Sequence, residues 1–315
     1  MAATISMTQS RDRKKRRVLV TGAGGLIGGE TCRLLFDAGY DVLALYRSPS
    51  GVHETFPWTR CYLDLEEEGA REKLEKLLPL YGIVHCAAVI PSVFQGEEAE
   101  KASARNKNID LVMTSLRAGT RKFIYCSSSS VYRVPYAEKV DESFFVEARG
   151  AYQKEKITME RECLRNFLEN AFVFRICAPY GSRQKNRTVL KMFIENAMEG
   201  RSLLYHGSGG RQQDFTHVRD VAMAVLCSLE PETRGGIFNV AGGAPITMKN
   251  LAELVVRLVP DGGSKVFSSR QPDPQEGWTA PFCIDKARLE LGWTPRVSLE
   301  EGIRDWADEI RKGMP

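Results

Sequence analysis

The sequence predicts an α/β fold, a doubly wound parallel sheet with a smaller C-terminal lobe. Three observations carry that expectation. Short apolar runs alternate with helical stretches from residue 17 to about 180. The runs are hydrophobic throughout instead of at every second residue, as strands covered on both faces require. A glycine-rich turn joins the first run to the first helix. With 43% hydrophobic and 27% charged residues, a chain of 315 residues has ample material for a core.

In order, "RVLVTG" (17–22) is a strand and "LIGGETCRLLFDAG" (26–39) a helix closed by Gly39. "DVLALY" (41–46) is the second strand, and a third falls around "CYLDL" (61–65). The helix "EEEGAREKLEKLL" (66–78) leads to the strand "YGIVHCAA" (81–88). A helical stretch near "NIDLVMTSLRAG" (108–119) precedes the strand "KFIYCSS" (122–128), and a helix over 152–168 precedes "AFVFRICA" (171–178). Past residue 180 the pattern loosens into Gly-, Pro- and Arg-rich loops, with short helices expected at 188–199, 219–229, 247–258 and 298–311. "GIFNVAG" (236–242) is expected to return to the sheet. The division is a flexible basic tail (1–16), a dinucleotide-binding domain (17–180), and a mainly substrate-binding lobe (181–315) interwoven with it.

Composition removes several classes. Much of the net charge of +4 sits in "RDRKKRR" (11–17), and the remainder is nearly neutral, so the run reads as solvated tail and no nucleic-acid partner is expected. No secretory h-region and no apolar stretch of about 18 residues occurs, so no membrane association is expected. The eight cysteines lack any Cys-x-x-Cys pair and the four histidines lack metal spacing. The cysteines read as small buried hydrophobes of a reducing, cytoplasmic compartment, and no metal is expected.

"VLVTGAGGLIGG" places Gly22, Gly25 and Gly28 between strand and helix, where a Rossmann-type fold grips a pyrophosphate. The glycines permit the tight turn and close approach, and the helix start at Leu26, Ile27 and Gly28 offers free N–H groups. At the end of the second strand an acid would accept bonds from the ribose hydroxyls of NAD. The chain has Arg47 there instead, whose planar fork suits a 2′-phosphate, so NADP is favoured with NAD as the alternative. Asp64, followed by Leu65 at the third strand's end, is placed to accept a bond from an adenine amino group. Tyr152 and Lys156 in "GAYQKEKI" share one helix face at i and i+4.

With these pieces together the chain resembles the extended short-chain dehydrogenase/reductase family, in its nucleotide-sugar epimerase, dehydratase and reductase branch. The resemblance runs from residue 17 to about 312. "VTGAGGLIG" is similar to the family's cofactor loop, and "VHCAA" with Ala87 to its fourth-strand motif. "NKNIDLVM" aligns Asn108 with its helix-four asparagine, and "FIYCSSSSVY" resembles its catalytic Ser/Thr strand. "DFTHVRDVAMAV", "GIFNVAGG" and "LGWTPRVSLEEGIRD" resemble its substrate-domain signatures.

The resemblance implies that Tyr152 is the acid/base for a sugar hydroxyl or ketone. Lys156 would bond the cofactor ribose and favour the ionised phenol by its charge. Ser128 would bond the substrate oxygen, with Ser127 and Ser129 as alternatives for the catalytic position and Ser129 also expected beside the substrate. Departures narrow the reaction. Ser129 and Ser130 stand where dehydratases of this kind carry Asp-Glu, which disfavours dehydration. Ala178 replaces an asparagine that contacts the sugar nucleotide, which counts against a standard galactose-type epimerase. Gln213 replaces an arginine, with Arg211 close enough to substitute, and Arg270 matches an arginine that grips the diphosphate.

The expected reaction is hydride transfer at a sugar carbon, C4, of a nucleotide sugar. A 4-ketoreductase is marginally favoured over a 4-epimerase with tightly bound NAD. A reductase of a non-sugar carbonyl and a non-catalytic NADP-binding regulator follow. A homodimer through helices around 98–118 and 151–168 is what such family members imply.

Overall fold

The computed structural model describes residues 13, 16–49, 56–65, 67–88, 111, 114, 119–133 and 139–312. Its first part forms β1 (Arg17–Thr21), α1 (Leu26–Asp37), β2 (Asp41–Tyr46), β3 (Thr59–Tyr62), α2 (Ala70–Glu75), β4 (Gly82–His85) and β5 (Lys122–Ser128). After a 3-10 turn at Ser129–Val131 come α3 (Ala151–Phe167) and β6 (Ala171–Ile176). The remainder adds β7 (Pro179–Tyr180), α4 (Val189–Met198), β8 (Leu203–Tyr205), β9 (Gln212–Gln213), β10 (Thr216–His217) and α5 (Val218–Ser228). It ends with β11 (Gly236–Val240), β12 (Ile246–Thr247), α6 (Met248–Leu258), β13 (Val266–Ser268), α7 (Asp285–Leu291) and α8 (Leu299–Arg311).

Seven strands make one parallel sheet in the order β11-β6-β5-β4-β1-β2-β3. The chain runs outward from β1 to β3, then returns to build from β4 in the other direction. The strand order therefore reverses between β1 and β4, and ligands of open α/β sheets bind outside the strand ends at such a point. Alternate β1 side chains feed opposite faces. Val18 and Val20 join a core with Cys32 and Leu35 of α1 and Val221 and Val225 of α5. Leu19 joins the other, with Leu74 of α2 and Met159, Cys163 and Phe167 of α3. Burial on both faces is the reason these strands are apolar throughout.

Residues 236–240 return to the sheet as expected, β11 pairing with β6 from Gly236↔Phe172 to Val240↔Ile176. A separate core forms the smaller lobe, where Leu190 and Phe193 of α4 meet Leu251 and Val255 of α6 and Ile303 and Trp306 of α8. Its helices start on side-chain caps. Thr247 accepts from Asn250 N–H at 3.2 Å and Ser298 from Glu301 N–H at 3.1 Å, the latter in a Ser-x-x-Glu pattern.

Two expectations need correction. The third strand sits at 59–62, ahead of the anticipated 61–65, so Asp64 and Leu65 lie past its end. The basic run is not wholly solvated, because Arg13 is buried, pairs with Glu230 and stacks on Tyr40, while Arg16 lies over Tyr81. Among the described residues, no helix is long and apolar enough to cross a membrane.

Candidate active site

The turn from β1 to α1 is built for close approach. Gly22 has φ +68°, and a Cβ there would sit 2.8 Å from Ala87 N, at the end of β4. At Gly28 an added Cβ would fall 2.3 Å from Gly22 O, so only glycine lets α1 start this near the strand. Gly25 caps α1 without any side-chain bond. The N–H groups of Leu26, Ile27 and Gly28 therefore point off an uncapped helix end, where the dipole favours an anion. Thr21 ties the turn to β4, its hydroxyl accepting from Ala87 N–H at 3.2 Å and lying 2.7 Å from His85 Nδ1. This cradle fits a dinucleotide pyrophosphate.

Around it lie the other expected cofactor residues. Arg47 is exposed directly after β2, while Tyr46 before it is buried. Asp64 is half-buried beyond β3, and Leu65 lines a cavity of about 160 Å³ with Leu74, Leu111 and Thr114. Asn108 lies outside the described residues.

The second cluster stands where β5 ends against α3. Lys156 is buried and donates to Cys126 O at 2.9 Å. Its Nζ lies 5.5 Å from the Tyr152 ring centroid and 4.8 Å from that of Tyr125. Burial disfavours the ammonium, but Tyr125, Tyr152 and Glu155 outweigh it and leave the Lys156 pKa raised. Tyr152 is half-buried one turn before it, on the same helix face.

The serine run divides by environment. Ser127 is buried and donates to Glu160 Oε1 at 2.5 Å. Ser129 is buried, with its hydroxyl bonded to Cys177. Ser128 is half-buried, donates to Ser130 Oγ at 2.9 Å and caps the following turn by accepting from Ser130 N–H. Of the three alternatives, Ser128 is the least buried, and Ser129 follows it directly in the 3-10 turn.

Glu160 and Arg175 were missed in the sequence. They form a buried pair at 2.7 Å, and Glu160 also holds Ser127. The signal was present, since Tyr152, Lys156 and Glu160 fall at i, i+4 and i+8 on one helix face. Through Lys156–Cys126 and Glu160–Ser127, α3 is fastened to β5 at two successive turns.

In the smaller lobe the segment 269–276 runs alongside 205–213. Ser269 N–H donates to Tyr205 O and Gly207 N–H to Gln271 O, both at 2.8 Å. Arg211 donates through Nε to Asp273 at 2.9 Å and through Nη1 to Gln275 at 3.2 Å and Gln213 at 3.5 Å. Gln213 and Arg211 therefore share one side of β9. Arg270 is exposed with φ +60°. Ala178 has φ +31°, a value asparagine adopts more readily than alanine. Among the described residues no cluster of three or more His, Cys, Asp or Glu forms a metal site.

A glycine cradle at the reversal of a parallel sheet, with a buried Lys one turn from a Tyr, defines a Rossmann-type dinucleotide-binding protein of the short-chain dehydrogenase/reductase class. The sequence profile of the NAD dependent epimerase/dehydratase family matches residues 18–241, and the chain belongs to that family. It is 25% identical to dTDP-4-dehydro-6-deoxyglucose reductase of Escherichia coli, over 95% of this chain and 99% of that one. It is 27% identical to dTDP-D-glucose 4,6-dehydratase of Mus musculus, over 65% of this chain and 59% of that one. Its fold matches the crystal structure of UDP-glucose 4-epimerase from Thermotoga maritima with a TM-score of 0.81 at 24% identity, covering 95% of this chain and 100% of that one.

Proposed function

We propose that the protein is an NADP-dependent oxidoreductase of nucleotide sugars that reduces a ketone at C4 of the sugar. The observation that carries this reading is the end of β2, where an exposed Arg47 follows a buried Tyr46 and no carboxylate stands in the place that suits a ribose 2′-hydroxyl. The bound dinucleotide would supply the hydride from its nicotinamide C4.

The chain's own residues supply the rest. Gly22, Gly25, Leu26, Ile27 and Gly28 hold the pyrophosphate, Ala87 borders it, Asp64 and Leu65 receive the adenine, and Asn108 is assigned to the cofactor from its motif. Tyr152 gives its proton to the ketone oxygen as charge develops there, and Ser128 Oγ donates a hydrogen bond to the same oxygen. Lys156, kept as an ammonium, bonds the cofactor ribose and offsets the charge left on the Tyr152 oxygen. Arg211 and Arg270 take the substrate diphosphate. Ser129 and Ser130 supply no carboxylate for loss of water, although a dehydratase is among the relatives. Pairing of two subunits through α3 and the stretch around 98–118, of which only 111 and 114 are among the described residues, belongs to the same reading, as does a cytoplasmic location.

The competing reading is a 4-epimerase that retains NAD through each turnover, and the description of the matched family as NAD dependent favours it. One measurement separates them. The purified protein is denatured and the released dinucleotide identified and counted. An empty site that binds NADPH well ahead of NADH supports the reductase. Near-stoichiometric NAD sinks it in favour of the epimerase and removes the role given to Arg47.

A further inference from the structure

Two cysteines meet at the edge of the cofactor cradle. Cys86 follows β4 and Cys126 lies in β5, each one residue beyond the paired His85↔Tyr125. Val84 and Ile124, two residues earlier, join the core shared with α1, and Cys86 and Cys126 fall on that same face. Their Sγ atoms are 3.4 Å apart. Neighbouring strands run roughly 4.8 Å apart, inside the roughly 4.4–6.8 Å between Cα atoms that a disulfide spans. Both are free thiols, Cys126 buried and Cys86 partly exposed.

The backbone at each cysteine supports a part of the site. A Cβ on Gly22 would meet the Cys86 carbonyl carbon at 3.0 Å and Ala87 N at 2.8 Å, so the end of β4 lies against the glycine turn without slack. Ala87 N–H also donates to the Thr21 hydroxyl. On the other side, Cys126 O accepts from Lys156 Nζ at 2.9 Å. A covalent bond would bring the two sulfurs to roughly 2.05 Å. The ends of β4 and β5 would be drawn towards each other, taking with them the wall of the turn and the anchor of Lys156. The contact with Cys126, then burial, pushes the Cys86 thiol up, and the Lys156 ammonium opposes them. Cys86 therefore rests as a thiol with a small thiolate fraction, and its oxidation needs sustained exposure to oxidant.

We propose that Cys86 and Cys126 form a thiol modification site, a dithiol that hydrogen peroxide closes to a disulfide, with loss of dinucleotide affinity. The Cys86 sulfur, giving up its proton, attacks one peroxide oxygen. The O–O bond breaks and the other oxygen leaves as water, so Cys86 becomes a sulfenic acid. The Cys126 sulfur then attacks the Cys86 sulfur, the S–O bond breaks, and the hydroxyl leaves with the Cys126 proton as a second water. Two thiols are oxidised by two electrons together, and one peroxide is reduced to two waters. A dithiol reductant reverses the change by exchange. This rests on the cradle holding a dinucleotide, and it holds for NADP and NAD alike.

The test exposes the whole protein to hydrogen peroxide, removes the peroxide, and compares it with the reduced protein. Digestion without reductant and mass spectrometry locate any linkage, fluorescence titration with NADPH and NADH reads affinity, and thermal melts check the fold. The expected result is a linked Cys86–Cys126 peptide and binding weaker by about tenfold or more, restored by dithiothreitol, with no fall in melting temperature. Cys86→Ala, whatever its starting affinity, is expected to keep it unchanged through the same treatment. Oxidation that stops at sulfinic acid, or that links other cysteines, would overturn the proposal. So would a linked protein that binds as the reduced one does, or a Cys86→Ala protein that loses as much affinity as wild type. A reduced wild type that binds neither NADPH nor NADH would remove the role of the cradle itself, and this site's effect with it.

Discussion

The shelf where β5 meets α3 and the loops that carry Arg211 and Arg270 hold their functional side chains in different ways. On the shelf every candidate group sits on a regular element, and two buried side chains fasten helix to strand one turn apart. In the loops the supporting strands are only two or three residues long. There Arg211 is tied to a nearly buried Asp273, whereas Arg270 stands exposed in a left-handed turn. If Tyr152 acts as proposed, the shelf would have its proton chemistry prearranged before any substrate arrives. In the proposed function the loops would set charge near a diphosphate on a scaffold that can differ between substrates, as recognition segments commonly do.

Breaking the shelf chemically has the largest expected effect. Tyr152→Phe removes the proton donor while leaving the ring beside Lys156. Turnover with a 4-keto nucleotide sugar and NADPH should fall by about 100-fold to 10,000-fold, with dinucleotide affinity unchanged. Retained turnover would transfer the proton donor to another group. Next comes the fastening beneath. Glu160→Gln leaves Arg175 buried without its carboxylate, and the expected cost is about 3–5 kcal/mol in urea denaturation. A change under about 1 kcal/mol would show that α3 is held by packing alone.

What was readable in advance follows the same division. β2 and β5 fall on their predicted bounds because strands buried on both faces leave unbroken apolar runs. The helix face of Tyr152 and Lys156 was readable from spacing. The partition of Ser127, Ser128 and Ser129 was not, because it depends on Glu160 and Cys177 reaching them from other elements. Asp273 as the partner of Arg211, 62 residues away, was equally invisible. The seven-residue α7 is too short to show a helical period. The place of Arg13 against Glu230 and Tyr40 depends on tertiary contacts, which a run of basic residues does not announce.

A third prediction concerns two neighbouring buried groups of the loop region that act in opposite senses. Burial pushes Asp214 up to about 6, against the N–H groups of Gly243, Gly242 and Ala244. Burial, aided by Arg219, pushes His217 down to about 4. Between about pH 4 and 6 the folded state holds a proton on Asp214 that the unfolded chain has released, so this group makes stability fall as pH rises. Over the same interval the unfolded chain holds a proton on His217 that the folded state lacks, so His217 makes stability rise with pH. The two slopes largely cancel. In Asp214→Asn the first is gone, and its stability relative to wild type should climb by about 1.4 kcal/mol per pH unit across that window. Parallel curves for the two proteins in urea at several pH values would refute the assignment to Asp214.

The smallest expected effect separates the two arginines. Arg211→Gln strands the Asp273 carboxylate, whose side chain is 7% exposed, so it should lower stability by about 1–3 kcal/mol as well as weaken nucleoside diphosphate binding. Arg270→Gln removes a solvent-facing charge and should leave the melting temperature unchanged, with diphosphate affinity about tenfold weaker. Calorimetric titration with UDP and dTDP, beside thermal melts, reads both quantities. If Arg270→Gln binds as wild type does, diphosphate recognition falls to Arg211 alone. The carboxylate of Asp273 then sets how much positive charge the loops can offer an anion.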